Sequence, residues 1–151
     1  MVNIRRATLS DLESVYQIIC DLEGCQLNFE LFSDTFSANL SDDNIIYLIA
    51  EINNSVVGFL SMHIQRILHH ERATCELQEL NVLPGFRSKG IGSTLMHEAE
   101  KIALQNNLEE VELTTKIYRK QAQEFYIHLG FENTHLKFVK RLPTNNGSTS
   151  T

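Results

Sequence analysis

Apolar residues recur along this chain in two periods, and the switches between them mark out the elements. Leu12, Val15, Tyr16, Ile19 and Leu22 fall at helical spacing, after Ser10-Asp11-Leu12-Glu13, which reads as a capping box, and before Gly24, which ends the helix. Asn28 is placed to cap a second helix with Phe29, Phe32, Phe36 and Leu40 on one face. Residues 2–6 and 45–52 are β-rich runs, and Asn53-Asn54-Ser55 is a turn into a further strand over 56–65, so the last two runs predict a hairpin. A long strand follows over 73–82. Ile91, Leu95, Ala99 and Ile102 then mark a helix that stops near Asn106-Asn107. Residues 111–115 read as a strand. Ala122, Phe125, Tyr126 and Leu129 read as a helix stopped by Gly130, and 131–142 contains a last strand.

The predicted order is β-α-α-β-β-β-α-β-α-β. Antiparallel hairpins come first and βα units follow, which implies an α/β (α+β) fold with a mixed, mostly antiparallel central sheet. A length of 151 residues suggests one domain over residues 1–142, with a small, polar, flexible tail over 143–151.

Composition changes this picture little but excludes several roles. Hydrophobic content of 42% and charged content of 21% are those of a soluble globular chain. A formal net charge of −6 argues against nucleic acid as a partner. No run approaches the roughly 20 apolar residues of a membrane span. The N-terminal residues read as a strand and not as a signal peptide. Cys20, Cys25 and Cys75 are odd in number and lack CxxC spacing, which fits reduced thiols in a cytoplasm better than a disulfide framework or a zinc site.

The most informative segment runs Leu80-Asn81-Val82-Leu83-Pro84-Gly85-Phe86-Arg87-Ser88-Lys89-Gly90-Ile91-Gly92-Ser93-Thr94-Leu95. It is a strand end, a basic loop and the first turn of a helix. Backbone N–H groups at a helix start lack intrahelical partners and lie at the positive end of the dipole. With glycines beside them they suit a phosphate or pyrophosphate. A Walker loop is excluded, because Lys89 precedes Gly90 instead of following the last glycine. A Rossmann fingerprint is excluded, because Gly90-Ile91-Gly92 lacks a third glycine and lies past mid-chain.

The segment resembles the acetyl-CoA loop of the GNAT N-acetyltransferases, Val-x-Pro-x-x-Arg/Gln-x-x-Gly-x-Gly/Ala, with Val82, Pro84, Arg87, Gly90 and Gly92 at the named positions. Ala122-x-x-Phe125-Tyr126-x-x-x-Gly130-Phe131 is similar to that family's late motif. The resemblance covers residues 3–142 and implies acetyl-CoA as cosubstrate. It would be held by Leu80, Asn81 and Val82 along the strand and by Arg87, Ser88, Lys89, Gly90, Ile91, Gly92 and Ser93 around the pyrophosphate. Arg119 falls where many members carry Asn, so a phosphate is a more natural partner for it than an amide. A homodimer is common in this fold.

Acetyl transfer to an amine needs a base for the ammonium, donors for the developing oxyanion and an acid for the thiolate. Strict alternation in Cys75-Glu76-Leu77-Gln78-Glu79-Leu80-Asn81-Val82 puts Glu76 and Gln78 on one face with Leu80 and Val82, and Glu79 and Asn81 on the other. Counted back from the loop, Glu76 sits where several GNAT enzymes carry a glutamate base, and a bulge would bring in Glu79. The resemblance makes Tyr126 the general acid. No cysteine offers a nucleophile with an adjacent base, so transfer is expected to be direct, through a ternary complex.

Further stretches are similar to the aminoalkylphosphonate N-acetyltransferases of bacterial phosphonate metabolism. They are His63-Ile64-Gln65-Arg66-Ile67-Leu68-His69-His70, Glu76-Leu77-Gln78-Glu79-Leu80, Val15-Tyr16-x-Ile18-Ile19-Cys20-Asp21-Leu22, Phe36-x-Ala38-Asn39-Leu40 and His135-Leu136-Lys137-Phe138. They imply a small amine bearing a phosphonate and, in that family, an assisting divalent metal. His63, His69 and His70 suit such a metal but suit a polar loop better, and no ligand set follows from the sequence. Arg66, His69, His70, Arg119 and Lys137 are the pool for the phosphonate dianion. The alternatives are a GNAT enzyme for a polyamine, aminoglycoside or protein lysine, and a non-catalytic CoA-binding regulatory module.

Overall fold

The structure is a computed structural model and describes residues 1–144. Residues 145–151, most of the expected tail, lie outside the described residues. The chain divides into two compact units, Met1–Leu113 and Thr114–Thr151.

In the first unit, strand β1 (Val2–Arg6) leads through a short helical turn (Leu9–Asp11) into helices α1 (Leu12–Glu23) and α2 (Phe29–Leu40). Strands β2 (Ile45–Ile52), β3 (Ser55–Gln65) and β4 (Thr74–Val82), helix α3 (Ile91–Gln105) and strand β5 (Val111–Leu113) follow. The sheet order is β1-β2-β3-β4-β5, antiparallel except for the parallel pair β4–β5. The hairpin turn is Asn53-Asn54, both left-handed at φ 49° and 66°, the geometry that matches strand twist.

Alternation along β3 sorts the core into two layers. Gly58, Leu60 and Met62 face α3: a Cβ on Gly58 would stand 3.2 Å from Leu95 Cδ1, so only glycine lets the helix sit this close. Phe59 faces the other way. It joins Tyr47, Ile49, Val15, Ile18, Ile19 and Phe36 in the layer formed by α1 and α2.

The expected capping box at Ser10 to Glu13 is displaced. The residues that form one are Thr8 and Asp11, with Thr8 N–H donating to Asp11 Oδ2 at 2.7 Å. Asp11 turns back because Arg5 holds both its oxygens at 2.9 Å, which also keeps its carboxyl below the usual carboxylate range. Asn28 caps α2 as expected, accepting from Leu31 N–H at 2.9 Å.

In the second unit, helix α4 (Lys120–His128) ends at Gly130, which is left-handed at φ 97°. The expected order of elements holds as far as α4. The final strand does not form among the described residues: 131–144 carry no strand, and Leu136 and Phe138 are exposed. A strand needs a paired edge, and among its described residues this unit has a helix and no second strand. Among the described residues no helix is long and apolar enough to cross a membrane.

Candidate functional site

The register of β3 against β4 decides how the acidic residues are displayed. Leu60 lies opposite Leu80, but Met62 lies opposite Leu77, so β4 carries one extra residue between them. Such a bulge reverses the parity of the strand. His63 opposes Glu76 and Phe59 opposes Asn81, and these two β3 residues share a face. Glu76 therefore stands on the Asn81 face, toward α1 and α2, and not on the Leu80 and Val82 face that strict alternation predicts. Glu79 is on that face too, because Ser61 Oγ donates to Glu79 Oε1 at 2.5 Å. Glu76 is bonded by the side-chain amide of Gln78.

The β4–α3 connection is held shut by a network. Arg87 donates through Nε to Val82 O at 2.7 Å and through Nη2 to Asp21 Oδ2 at 2.6 Å. Asn81, 9% exposed, donates to Ile18 O and to Asp21 Oδ2, each at 2.9 Å. Asp21 on α1 thus collects the two residues that flank the turn. Gly85, Ser88 and Gly90 are left-handed at φ 88°, 62° and 80°. A Cβ on Gly90 would meet no protein atom within 4 Å. The first helical bond of α3 runs from Thr94 N–H to Gly90 O at 3.0 Å, so the N–H groups of Ile91, Gly92 and Ser93 point out of the helix start. Lys89 Nζ rests 5.7 Å from the Phe86 ring centre.

Among the described strands, one stretch of β4 is unpaired on its β5 side. β5 pairs only with Cys75 to Leu77, whereas β4 continues to Val82. Leu83 N–H donates to Val57 O at 2.9 Å, which aims Leu83 and Asn81 at β3 and Leu80 and Val82 away from it. Val82 O is the oxygen that Arg87 takes. The backbone of Leu80 faces the side that β5 has left, the arrangement into which an extended ligand adds as a strand.

In the second unit, Tyr126 on α4 packs edge-on against Phe125 and Phe131, with ring centres 5.4 and 5.9 Å away. Burial pushes its phenol above the usual value, and the charge of Arg119 partly opposes this. The hydroxyl is therefore protonated at neutral pH, the state that a proton donor needs. Arg119 precedes α4 and lies 6.0 Å from the Tyr118 ring centre. Lys137 Nζ donates to Thr114 Oγ1 at 3.4 Å.

The histidines go to different places. His63 stands on β3 opposite Glu76. His70 Nδ1 meets Glu109 Oε2 at 2.5 Å, and Glu109 Oε1 accepts from the N–H groups of Glu71 and Arg72 at 3.0 and 3.2 Å. This closes the β3–β4 loop onto the residues before β5. Among the described residues no group of three or more His, Cys, Asp or Glu is arranged to hold a metal ion. His70 has one ring nitrogen on Glu109, and among the described residues no ligand set is assembled for the metal that the resemblance implies.

The His70 bridge has a pH signature. Its hydrogen bond to Glu109 raises the His70 pKa above the usual histidine value, and the charges of Glu109, Glu110 and Glu112 add to this against desolvation. A raised folded pKa means that the stabilisation is fully present below the unfolded value of about 6.5. It is lost as pH rises through the folded value. His70→Gln should therefore lower the urea midpoint more at pH 6 than at pH 9. An equal deficit at both would show that the bridge is not charged.

Ser61 and Asp21 carry site geometry but do not stand out as site residues in the sequence. Ser61 has a signal there: it is the polar residue inside Val57-Gly58-Phe59-Leu60-Ser61-Met62 and is fully buried. Asp21 has none, since its partners are 60 and 66 residues away.

Comparison with known proteins fits this geometry. Residues 12–131 match the Acetyltransferase (GNAT) family, across both units. The chain is 44% identical to an aminoalkylphosphonate N-acetyltransferase of Salmonella typhimurium, over 92% of this chain and 90% of that protein. It is 32% identical to an uncharacterized N-acetyltransferase of Archaeoglobus fulgidus, over 83% of this chain and 89% of that one. An aminoglycoside N-acetyltransferase solved in complex with CoA superposes with a TM-score of 0.84 at 20% identity, covering 95% and 96% of the two chains, which shows a shared fold. A five-stranded mixed sheet, the β4–α3 turn and a match over most of the chain agree: this protein belongs to the GNAT family of acetyltransferases.

Proposed function

We propose that this protein transfers the acetyl group of acetyl-CoA directly to the primary amine of a small aminoalkylphosphonate. The observation that carries the acetyl-CoA part is the β4–α3 turn, whose left-handed Gly90 opens empty space before three outward N–H groups. The pyrophosphate lies over Arg87, Ser88, Lys89, Gly90, Ile91, Gly92 and Ser93. The pantetheine arm adds along Leu80, Asn81 and Val82, chiefly through the backbone of Leu80. Arg87 supports the turn from behind, through Asp21 and Val82 O.

The substrate ammonium gives a proton to a β4 carboxylate, Glu76 or Glu79. The amine nitrogen attacks the thioester carbon, and backbone N–H of β4 meets the oxygen as charge develops. The C–S bond breaks and Tyr126 protonates the CoA thiolate. No acyl-enzyme forms. Cys75, fully buried and with its thiol pushed up to about 11 by burial, is a poor nucleophile, and it shares the α3 face with Leu77 and Met62.

The phosphonate assignment is supported by the Salmonella relative's name. The cations for the dianion are to be sought in the pool Arg66, His69, Arg119 and Lys137, since His70 already meets Glu109. We place the enzyme in the cytoplasm, in keeping with three free cysteines, and propose a homodimer. The exposed apolar residues Leu136, Phe138, Val139 and Leu142 support the latter, and sedimentation is its check.

An amine panel followed by thiol release tests the function. 2-Aminoethylphosphonate should exceed ethanolamine and a simple alkylamine in kcat/KM by more than tenfold, because an uncharged tail offers the cations of the site no counter-charge. A preference for spermidine, an aminoglycoside or a lysine peptide would remove the phosphonate assignment and leave the acetyltransferase. A chelator arm tests the metal that the resemblance implies: a raised KM for the phosphonate is the expected result if a metal assists, and an unchanged KM would remove it.

A further inference from the structure

We propose that Ser61 is a positioning residue for acetyl transfer, fixing Glu79 as the carboxylate that takes the ammonium proton. This rests on the function proposed above. The bulge gives β4 one residue more than β3 opposite Ser61. Glu79 N–H donates to Ser61 Oγ at 3.0 Å, and Ser61 Oγ donates in turn to Glu79 Oε1 at 2.5 Å. A serine oxygen has one proton. With the backbone N–H on one lone pair, that proton is committed to the carboxylate. Main chain and side chain of Glu79 are thereby closed into one ring through Ser61.

The ring is rigid because its anchor is. Ser61 is fully buried between Leu60 and Met62 in the middle of the sheet. Across β2 it opposes Tyr47, whose hydroxyl accepts from Asn39 Nδ2 at 2.7 Å. Glu76 has no such anchor: its partner is the exposed Gln78, two residues along the same strand. The ring engages one oxygen of the Glu79 carboxylate, and the second is the one that meets the ammonium. A base held in one rotamer loses less freedom on reaching the transition state than one that must be found.

The charged and titratable groups toward this face are few. Tyr47 comes from β2, His63 from β3, Glu76 from β4 itself, and Tyr16 and Asp21 from α1, the latter paired with Arg87. Helix α2 contributes Phe36, stacked on Tyr47, and the amide of Asn39.

The experiment compares wild type, Ser61→Ala, Ser61→Thr, Glu76→Gln, Glu79→Gln and the Ser61→Ala/Glu79→Gln double variant, each with 2-aminoethylphosphonate and with the best amine of the panel. Ser61→Ala should lower kcat about tenfold or more and leave the KM for acetyl-CoA unchanged. Ser61→Thr, which keeps the hydroxyl, should restore most of the rate. In the Glu79→Gln background Ser61→Ala should add little, since it acts through the group already removed. The inference is overturned if Ser61→Ala is normal while Glu79→Gln is inactive, or if the two losses multiply. It is also overturned if Glu79→Gln is fully active and Glu76→Gln is not, in which case the acetyltransferase reading stands with the other base. A wild-type protein that acetylates none of the amines overturns both readings together.

Discussion

Tyr126→Phe is expected to lower turnover by about 10²-fold, the loss typical of a general acid, while acetyl-CoA affinity hardly changes. The substitution removes one hydroxyl and keeps the ring, so the contacts with Phe125 and Phe131 survive. Burial raises the phenol's pKa, and the positive charge of Arg119 limits the rise. Both matter to the chemistry. A thiol has a pKa near 8.5 and a free phenol near 10, so the proton passes to a developing thiolate at a modest driving-force penalty. A phenol buried without a cation nearby would donate less readily. The sign of the pH effect follows: the wild-type rate should hold through neutral pH and fall only where the phenol ionises, and that alkaline limb should vanish in the Phe variant. Thiol release under saturating acetyl-CoA measures the rate. A Tyr126→Phe enzyme within threefold of wild type would remove Tyr126 from the mechanism.

The second large effect is expected at the β4–α3 turn. Gly90→Val and Gly92→Val should each weaken acetyl-CoA binding at least tenfold, about 1.4 kcal/mol. The two variants fail for different reasons, which makes the pair informative. At Gly90 the backbone is left-handed at φ 80°, so valine carries a strain cost of about 1–2 kcal/mol before any ligand is considered. The space around it is otherwise open, with no protein atom within 4 Å of the position a Cβ would take. Gly92 lies inside α3, where the backbone accepts valine. A loss of affinity there reports only the side chain standing where the pyrophosphate must approach. Calorimetry with CoA, beside a urea titration for each variant, separates strain from exclusion. Unchanged CoA affinity in a folded Gly90/Gly92 double variant would show that this turn does not hold the cofactor.

Much of this protein was legible in its residues alone, where short-range chemistry decides. Helical spacing and Asn28 placed α2, and Asn53-Asn54 placed the hairpin turn, because caps and left-handed turns depend on residues a few positions apart. The loop from Val82 to Gly92 was legible for the same reason, since phosphate approach needs glycine and a helix start in one local segment. A bulge in β4 was suggested by the resemblance, but its position and its effect on Glu76 were not legible. Leu77 and Leu80 find their partners on β3 through the core, and the one-residue surplus that results moves Glu76 to the Glu79 and Asn81 face. The capping residues shifted because Arg5 on β1 draws Asp11 into an ion pair, a contact that helix propensity does not contain. Arg87 read as a ligand-side cation, yet its partner is Asp21, brought to it by the packing of α1 on the sheet. The last strand expected within residues 131–142 does not form among the described residues, because a strand exists only where a neighbouring edge supplies the hydrogen bonds. Sequence alone determined the family of chemistry this chain belongs to and singled out the segment proposed to receive the cofactor. Tertiary structure decided which carboxylate is anchored and what holds the turn closed, since both depend on contacts between residues far apart in the chain.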